Sequence, residues 1–457
     1  MLQPARRLLA ALLITALLLS ACAPSSPSPS ARSSGQPSAP PSPSPTIGQV
    51  VRAPGSSSTI YQPNPAAIVV AIDPGHGGCL DWGVPDPLLR VMAFSEKAMT
   101  LAIGLELRRD LAAQGVTVVM TRDADEALAG DDYPDLGCHG APFRDVNGDG
   151  QSGFDPEGKT RTRDELQARL DLVNLARADI VVSIHINSLT QNGVVFQIAA
   201  TQTYYTDETP WGPSATQRLA GLIQDGVVAA LDPLASYERQ DRGISAVNLY
   251  LVAPPLFVTT PDRPDPVKQP TRGALMPAVL TEVGSITLAA EQDLLLSPAG
   301  QAAAAAGIAS GIASYFADRA LSVRYDALIP GGGAGLVPTA VAGTGPPFWH
   351  AGIRRAELAM GLPLRLTNTG TRAWPAGLHL LAGWHEGSAP YLRQPPADLN
   401  QLDVVIPALA PGESVALRVP ISVPSGEGGI LWISLANGQT TLSDLGSAPL
   451  QLGTEGP

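Results

Sequence analysis

Residues 66–78 read AAIVVAIDPGHGG, an apolar run that ends in a loop of Asp, Pro, Gly and His. The apolar part, Ala66 to Ile72, is largely β-branched and lacks the polar alternation of a strand with one solvated face. It therefore predicts a strand that is covered on both faces. Because α/β proteins place functional groups beyond the carboxyl ends of such strands, His76 becomes the first candidate site residue.

Helix and strand patterns alternate after this loop. Apolar residues recur at four-residue intervals over Glu96 to Ala113, which predicts a helix, and Val116 to Thr121 then predicts a strand. The helix Asp164 to Ala178 and the strand Ile180 to His185 repeat the unit. Further strands are predicted at Val194 to Ala199, Asn248 to Val252 and Ala278 to Val283, and further helices at Ser214 to Leu231 and Pro298 to Phe316. Over residues 66–325, this alternation predicts an α/β domain with a mostly parallel twisted sheet and helices on both faces.

The composition and the hydrophobic pattern of the sequence change beyond residue 325. Gly and Pro dominate residues 326–350, which we interpret as a linker. Residues 351–457 contain short apolar runs between Pro and Gly turns and no helix-length stripe, so they predict an all-β sandwich that resembles the Ig-like modules of bacterial surface proteins. Two roles are open for Trp374, Trp384 and Trp432: sugar binding or, as we favour, packing in the sandwich.

The amino terminus has the pattern of an export signal. Two arginines precede the run Leu8 to Leu19, which is too short to span a bilayer as a mature helix. The following Leu19-Ser20-Ala21-Cys22 resembles the bacterial lipobox, with lipid attachment at Cys22; an ordinary signal peptide is the alternative. We therefore interpret residues 1–22 as a lipoprotein signal peptide and residues 23–65, rich in Ser and Pro, as a disordered tether. A lipid-anchored, extracytoplasmic protein of the cell envelope is expected.

Length, apolar content and net charge limit the possible architectures and partners. A chain of 457 residues with 44% apolar residues is long enough for more than one core. The formal net charge of −12 argues against a basic surface, and so against nucleic acid as a partner.

Ionisable residues recur where the predicted elements begin or end. His76 and His185 close two strands, Glu282 lies in the last strand, and Glu96 opens the first helix. Two imidazoles and one carboxylate suit an open tetrahedral zinc site, in which a further carboxylate acts as general base. Each residue alone also fits a turn, a helix start or a buried polar group. A shared metal accounts for all of them, since burying an ionisable group unpaired costs several kcal/mol.

The motifs around these residues resemble those of zinc N-acetylmuramoyl-L-alanine amidases over about residues 66–317. In chain order they are Asp73-Pro74-Gly75-His76-Gly77-Gly78, Glu96-Lys97, Ser183-Ile184-His185-Ile186-Asn187 and Leu280-Thr281-Glu282-Val283-Gly284. The resemblance implies zinc ligation by His76, Glu96 and His185. It also implies that Glu282 is the catalytic carboxylate, and that Asn187, Arg169 and Arg242 contact the substrate.

The same resemblance implies a reaction: hydrolysis of the amide bond between N-acetylmuramic acid and L-alanine in peptidoglycan. Two alternatives are a zinc peptidase or deacetylase that acts on another wall bond, and a non-catalytic wall-binding lipoprotein. The sequence names no protein activator.

Two further features concern the loops. Cys79 and Cys138 lie in polar, Gly-rich stretches, and in an exported protein they predict a disulfide, with free thiols or Cys79 as a metal ligand as alternatives. Asp145, Asn147 and Asp149 match the first half of an EF-hand-like calcium loop, although the second half is irregular. Calcium and a solvated acidic turn both fit this stretch.

Overall fold

A computed structural model gives the fold. It describes residues 50–52, 59–61, 68–84, 94–146, 163–176, 178–191, 194–208, 213–253, 273–328, 353–354, 358, 360–386, 392, 394–423 and 429–455. Within these ranges no helix has the length and apolarity needed to cross a membrane. The predicted signal peptide and Cys22 lie outside the described residues.

The elements follow in chain order. The strands before the last long helix are β1 (Val50–Arg52), β2 (Thr59–Tyr61), β3 (Val69–Pro74), β4 (Thr117–Met120), β5 (Ile180–Asn187), β6 (Thr190–Gln191), β7 (Val194–Val195), β8 (Ala199–Tyr205), β9 (Arg239–Ala246) and β10 (Ala278–Ser285). The helices are α1 (Glu96–Ala113), α2 (Arg163–Leu175), α3 (Pro213–Leu231), α4 (Ala289–Leu296) and α5 (Pro298–Ala317), with short 3-10 turns at Pro134–Leu136 and Asp232–Leu234. The remaining strands are β11 (Val323–Ala327), β12 (Ile353–Arg354), β13 (Leu362–Asn368), β14 (His379–Glu386), β15 (Asn400–Gln401), β16 (Ser414–Val419), β17 (Gly429–Asn437), β18 (Thr440–Thr441) and β19 (Leu450–Glu455).

A six-stranded sheet forms the centre of the first domain, in the order β4-β3-β5-β10-β8-β9. Its neighbouring strands run parallel, except for β10 and β8, which are antiparallel. Strand β3 shows why both faces are covered. Its residues Val70 and Ile72 join the core made with α1, α3 and α5, whereas Val69 and Ala71 join the core on the α2 side. The prediction of an α/β domain with helices on both faces is confirmed, with a mixed sheet.

Two predictions about strands were wrong. The predicted strand Val194 to Ala199 does not form as one strand: Val194–Val195 form the short β7, and the strand of the central sheet, β8, begins only at Ala199. Asn248 to Val252 form no strand; the chain turns there, with Ala253 N–H donating to Leu249 O at 2.9 Å. The apolar side chains of this turn pack on the sheet core, which is why the stretch is apolar. The sixth strand is instead β9, a mostly polar segment. Within the predicted tether, β1 and β2 pair antiparallel, because both carry β-branched or aromatic residues.

Two sheets make up the carboxyl-terminal part. One has the order β11-β13-β16, and the other has the order β12-β19-β17-β14-β15, with β18 paired to β17. One apolar core joins them and includes Leu364, Trp374 and Leu431. Trp374 and Trp432 are buried, so they pack rather than face a ligand, and half-buried Trp384 donates from its indole to Ser422 O at 2.8 Å. The Ig-like assignment stays a prediction.

The predicted domain boundary at residue 325 falls inside β11. Because β11 pairs with β13, it belongs to the carboxyl-terminal sheets, and the first domain ends with α5. A buried ion pair links the two parts: Arg324 donates to Asp179 Oδ2 at 2.7 Å. The same oxygen accepts from Val69 N–H at 2.8 Å, which connects β11 to the start of β3.

Candidate metal centre

The fold brings the three predicted ligands together at one edge of the central sheet. His76 follows β3, and His185 lies near the end of β5. These strands are parallel neighbours, with Pro74 paired to Ile184, so their carboxyl ends meet. Glu96 is the first residue of α1. One ligand atom from each of the three side chains lies within 4.8 Å of the others.

Glu96 lies between the two imidazoles. Its Oε2 is 3.2 Å from His76 Nε2, and its Oε1 is 3.0 Å from His185 Nδ1. The same carboxylate accepts the N–H groups of Val84 and Ile186 at 2.9 and 3.0 Å. Although burial alone would raise it, the pKa of Glu96 is held well below its usual range by the two histidines. The centre thus keeps an ionised carboxylate ready to hold a cation.

His76 has an unusual backbone conformation. Its φ of 62° lies in the left-handed region that few non-glycine residues adopt, and Gly77 and Gly78 continue with positive φ. Burial lowers the pKa of the His76 imidazole, but Glu96 and Asp81 outweigh it and raise the pKa to about 10. The two carboxylates therefore favour positive charge at this position.

Glycines at positions 75 and 83 leave space for the side chains of His185 and Glu96. A Cβ at Gly75 would lie 2.4 Å from Cε1 of the His185 ring. A Cβ at Gly83 would lie 2.4 Å from Glu96 Oε2. Both contacts are shorter than real Cβ contacts, so these positions require glycine.

Gly75→Ala is expected to displace His185. A shift of about 1 Å at a reacting centre costs about 100-fold in rate, so we expect a loss of that order in any reaction at this centre together with weaker metal binding. Zinc titration and thermal unfolding of the variant measure these effects. Gly221→Ala in α3 is the matched control, because no atom lies within 4 Å of its added Cβ. Zinc affinity that is equal in both variants would contradict the argument.

Two buried arginines hold the loop that carries His76. Arg169 donates to Pro74 O at 2.8 Å, to His76 O at 2.6 Å and to Asp73 Oδ1 at 2.9 Å. Arg122 donates to Pro74 O at 2.9 Å and to Gly75 O at 3.0 Å. Arg169, predicted as a substrate contact, holds this loop through three hydrogen bonds and also lines the cavity beside the cluster. No sequence motif predicted the role of Arg122, because nothing local marks a donor to a distant segment.

Glu282 lies next to the cluster, on β10. It pairs in register with His185 on β5 and with Gln202 on β8, which places these three residues in one row across the sheet. Its Oε2 is buried and has no hydrogen-bond partner among the described residues. Burial raises the pKa of Glu282 to about 7, against the lowering effect of His185. A carboxyl group with this pKa can both accept and release a proton near neutral pH.

Asp81 is a second contact that the sequence did not reveal. His76 Nδ1 donates to Asp81 Oδ1 at 2.8 Å. Close by, Cys79 and Cys138 form a disulfide, so Cys79 is neither a free thiol nor a metal ligand. Cys79 N–H also donates to Asp131 Oδ2 at 2.7 Å. The disulfide and these two hydrogen bonds therefore hold the loop after His76 in place.

Three other predicted site residues are described, at three different places in the fold. Asn187 ends β5, and its carbonyl accepts Ile286 N–H at 2.9 Å. Arg242 is exposed on β9. Of the predicted calcium ligands, Asp145 is described, whereas Asn147 and Asp149 lie outside the described residues.

A cavity of about 170 Å³ opens onto the cluster. It is lined by Gly75, His76, Asp81, Leu166, Arg169, His185, Leu249, Tyr250, Leu251 and Leu280. The misassigned turn at residues 249–251 thus forms one wall of the candidate site. Its apolar side chains and the histidines leave room for a small polar group beside the predicted ligands.

This chain is similar to several known proteins. A germination-specific N-acetylmuramoyl-L-alanine amidase of Bacillus subtilis is 26% identical over 252 residues, which are 55% of this chain and 81% of that protein. Among solved structures, the amidase AmiC2 of Nostoc punctiforme is 24% identical, with a TM-score of 0.35 over 54% of this chain and 96% of that one. The catalytic domain of the amidase CwlV from Bacillus (Paenibacillus) polymyxa is 26% identical, with a TM-score of 0.35 over 54% and 97%. The family model for N-acetylmuramoyl-L-alanine amidases matches residues 70–314, more than half of the chain, and the protein belongs to that family.

Proposed function

We propose that this protein is a zinc-dependent hydrolase that cleaves the amide bond between N-acetylmuramic acid and L-alanine in peptidoglycan. One observation carries the proposal: His76, Glu96 and His185 converge within 4.8 Å in a chain of the amidase family, with Glu282 beside them. The related amidases named above act on this bond by their names, and we extend that activity to this chain.

The residues present fit zinc. Two imidazole nitrogens and one carboxylate are the ligand set of several catalytic zinc sites, which keep a further position open. The buried Oε2 of Glu282, without a hydrogen-bond partner in the described part of the chain, supplies a proton acceptor next to that set. When bound, zinc would supply a Lewis acid that polarises the amide carbonyl and acidifies water.

The protein's own residues then have three roles: metal binding, positioning of the loop and proton transfer. His76, Glu96 and His185 would hold the metal, and Arg169 and Arg122 fix the loop that carries His76. Glu282 would take a proton from the attacking water and deliver it to the leaving amine nitrogen. The raised pKa of Glu282, about 7, suits both transfers, since a stronger acid would be a poor base.

We also propose where the reaction takes place. The lipobox-like segment ending at Cys22 and the Ser/Pro-rich residues that follow support export, a lipid anchor and a site in the cell envelope. The tether would then allow the catalytic domain to reach a substrate in the cell wall.

Mass spectrometry of fragments released from purified peptidoglycan tests the proposal. We expect glycan with a free muramic lactyl carboxylate and peptides with a free L-alanine amine. A chelator should abolish both products, and added zinc should restore them. Cleavage inside the stem peptide, release of acetate, or no release at all would each contradict the proposal.

A further inference from the structure

A tight loop returns the chain to His76 directly after that residue. Gly77 and Asp81 pair across the loop as an isolated antiparallel bridge, and Gly77 N–H donates to Asp81 O at 2.8 Å. This closure brings the Asp81 carboxylate back beside the imidazole that precedes the loop.

The contact is made to one particular nitrogen. His76 Nδ1 donates to Asp81 Oδ1 at 2.8 Å, while the side chains are only 23% and 21% exposed. The opposite nitrogen, Nε2, faces Glu96 Oε2 at 3.2 Å. With Nδ1 committed to Asp81, the ring presents Nε2 to the cluster.

The second histidine differs in this respect. His185 approaches Glu96 through Nδ1, and among the described residues no second carboxylate hydrogen-bonds to its ring. A carboxylate behind a ligating histidine fixes the orientation of the ring and raises its basicity as a ligand. In this chain that support is given to His76.

We propose that Asp81 is a positioning residue that holds His76 with Nε2 directed at the metal, so that it strengthens metal binding without being a ligand. This inference rests on the metal site of the proposed function and adds a determinant of its affinity. His76 needs such support, because its backbone lies in the left-handed region and the ring is attached to a loop rather than to a strand.

Other contacts also hold this loop, so removal of the Asp81 side chain should leave the loop folded. The Cys79–Cys138 disulfide anchors its middle. Lys97 Nζ donates to Gly78 O at 2.7 Å and to Asp125 Oδ2 at 2.8 Å. Asp125 Oδ1 also accepts Gly78 N–H at 2.9 Å.

These contacts supply a matched control. Asp125→Asn alters a carboxylate that follows β4 and contacts the same loop through Gly78 without touching His76, whereas Asp81→Ala removes the contact to the ring. Asp81→Asn keeps an oxygen acceptor for Nδ1 and should recover part of the loss. All three variants are made in the full chain.

Zinc affinity is measured by competition with a chromophoric chelator. We expect Asp81→Ala to bind zinc about 10- to 100-fold more weakly, Asp81→Asn to fall between it and the wild type, and Asp125→Asn to match the wild type. The visible absorption spectrum of the Co²⁺-loaded protein at saturation should be the same in all of them, because the ligands are unchanged.

Three results would overturn the inference. Asp81→Ala could bind zinc as tightly as the wild type, or Asp125→Asn could weaken binding equally, which would show a general effect of the loop. A changed Co²⁺ spectrum in Asp81→Ala would make Asp81 a ligand. Failure of the proposed function is distinguishable, since a wild-type protein that binds no zinc removes the metal site itself.

Discussion

Glu282→Gln should lower the turnover of peptidoglycan by about 10²- to 10⁴-fold, the range that general acid–base groups contribute. The substitution preserves size and removes the ability to take up a proton. Glu282 is the neighbour of His185 in the sheet rather than a member of the converging ligand set, so zinc affinity should change little. Loss of turnover with retained metal would therefore identify a proton-transfer residue.

The measurement pairs the rate of product release with metal content. Initial rates on purified peptidoglycan are compared at saturating zinc, and bound zinc is counted after removal of excess metal. Glu238→Gln is the control, because it makes the same chemical change at an exposed position on the same domain. If the Glu282 variant turned over substrate as the wild type does, or if it lost its zinc, the role assigned to Glu282 would be wrong.

The elements that position the ligands could be predicted from sequence for a simple reason. Strand β3 and helix α1 are covered by other elements, so burial imposes an apolar run on one and a four-residue stripe on the other. The predicted helix Glu96 to Ala113 has the same bounds in the structure. His76 and Glu96 lie at the ends of these elements, where an isolated ionisable residue stands out against its apolar surroundings.

The supporting residues could not be predicted in this way. Asp81 and Arg122 act through single hydrogen bonds to groups on other segments, and no periodicity or spacing marks such contacts. Arg169 was identified, but the distinction between a substrate contact and a buried donor to His76 O depends on which way the side chain lies. A helix pattern gives the face of the residue and not its partner.

Strand β9, at one end of the central sheet, could not be predicted from its composition either. β9 carries mostly polar residues because it lies at the end of the sheet, so it lacks the apolar signal of a central strand. The neighbouring Leu249 to Leu251 have that signal because they cover the sheet and line the cavity. Burial explains both stretches, but apolar composition alone does not separate a strand from a packed turn.

Glu96→Ala should have the largest effect on metal binding. Asp81, an outer partner, is expected to contribute up to about 100-fold, and removal of a ligand should cost more than that. The alanine variant also leaves the N–H groups of Val84 and Ile186 without their acceptor. Each unpaired buried group costs about 1–3 kcal/mol, so the metal-free variant should also unfold at a lower temperature.

Glu96→Gln separates the two effects. A glutamine keeps a carbonyl oxygen that can accept one of the two N–H groups, but it loses the negative charge that lies between His76 and His185. We therefore expect the glutamine variant to lose zinc affinity nearly as severely as the alanine variant while it retains more of the thermal stability. Zinc competition and thermal unfolding of metal-free protein measure the two quantities independently. Asp110→Ala on the same helix is the control, since its exposed pair with Arg109 should be worth at most about 1 kcal/mol. Tight zinc binding by Glu96→Gln would show that the carboxylate is a structural acceptor at the start of α1, and it would leave the two histidines as an incomplete metal site.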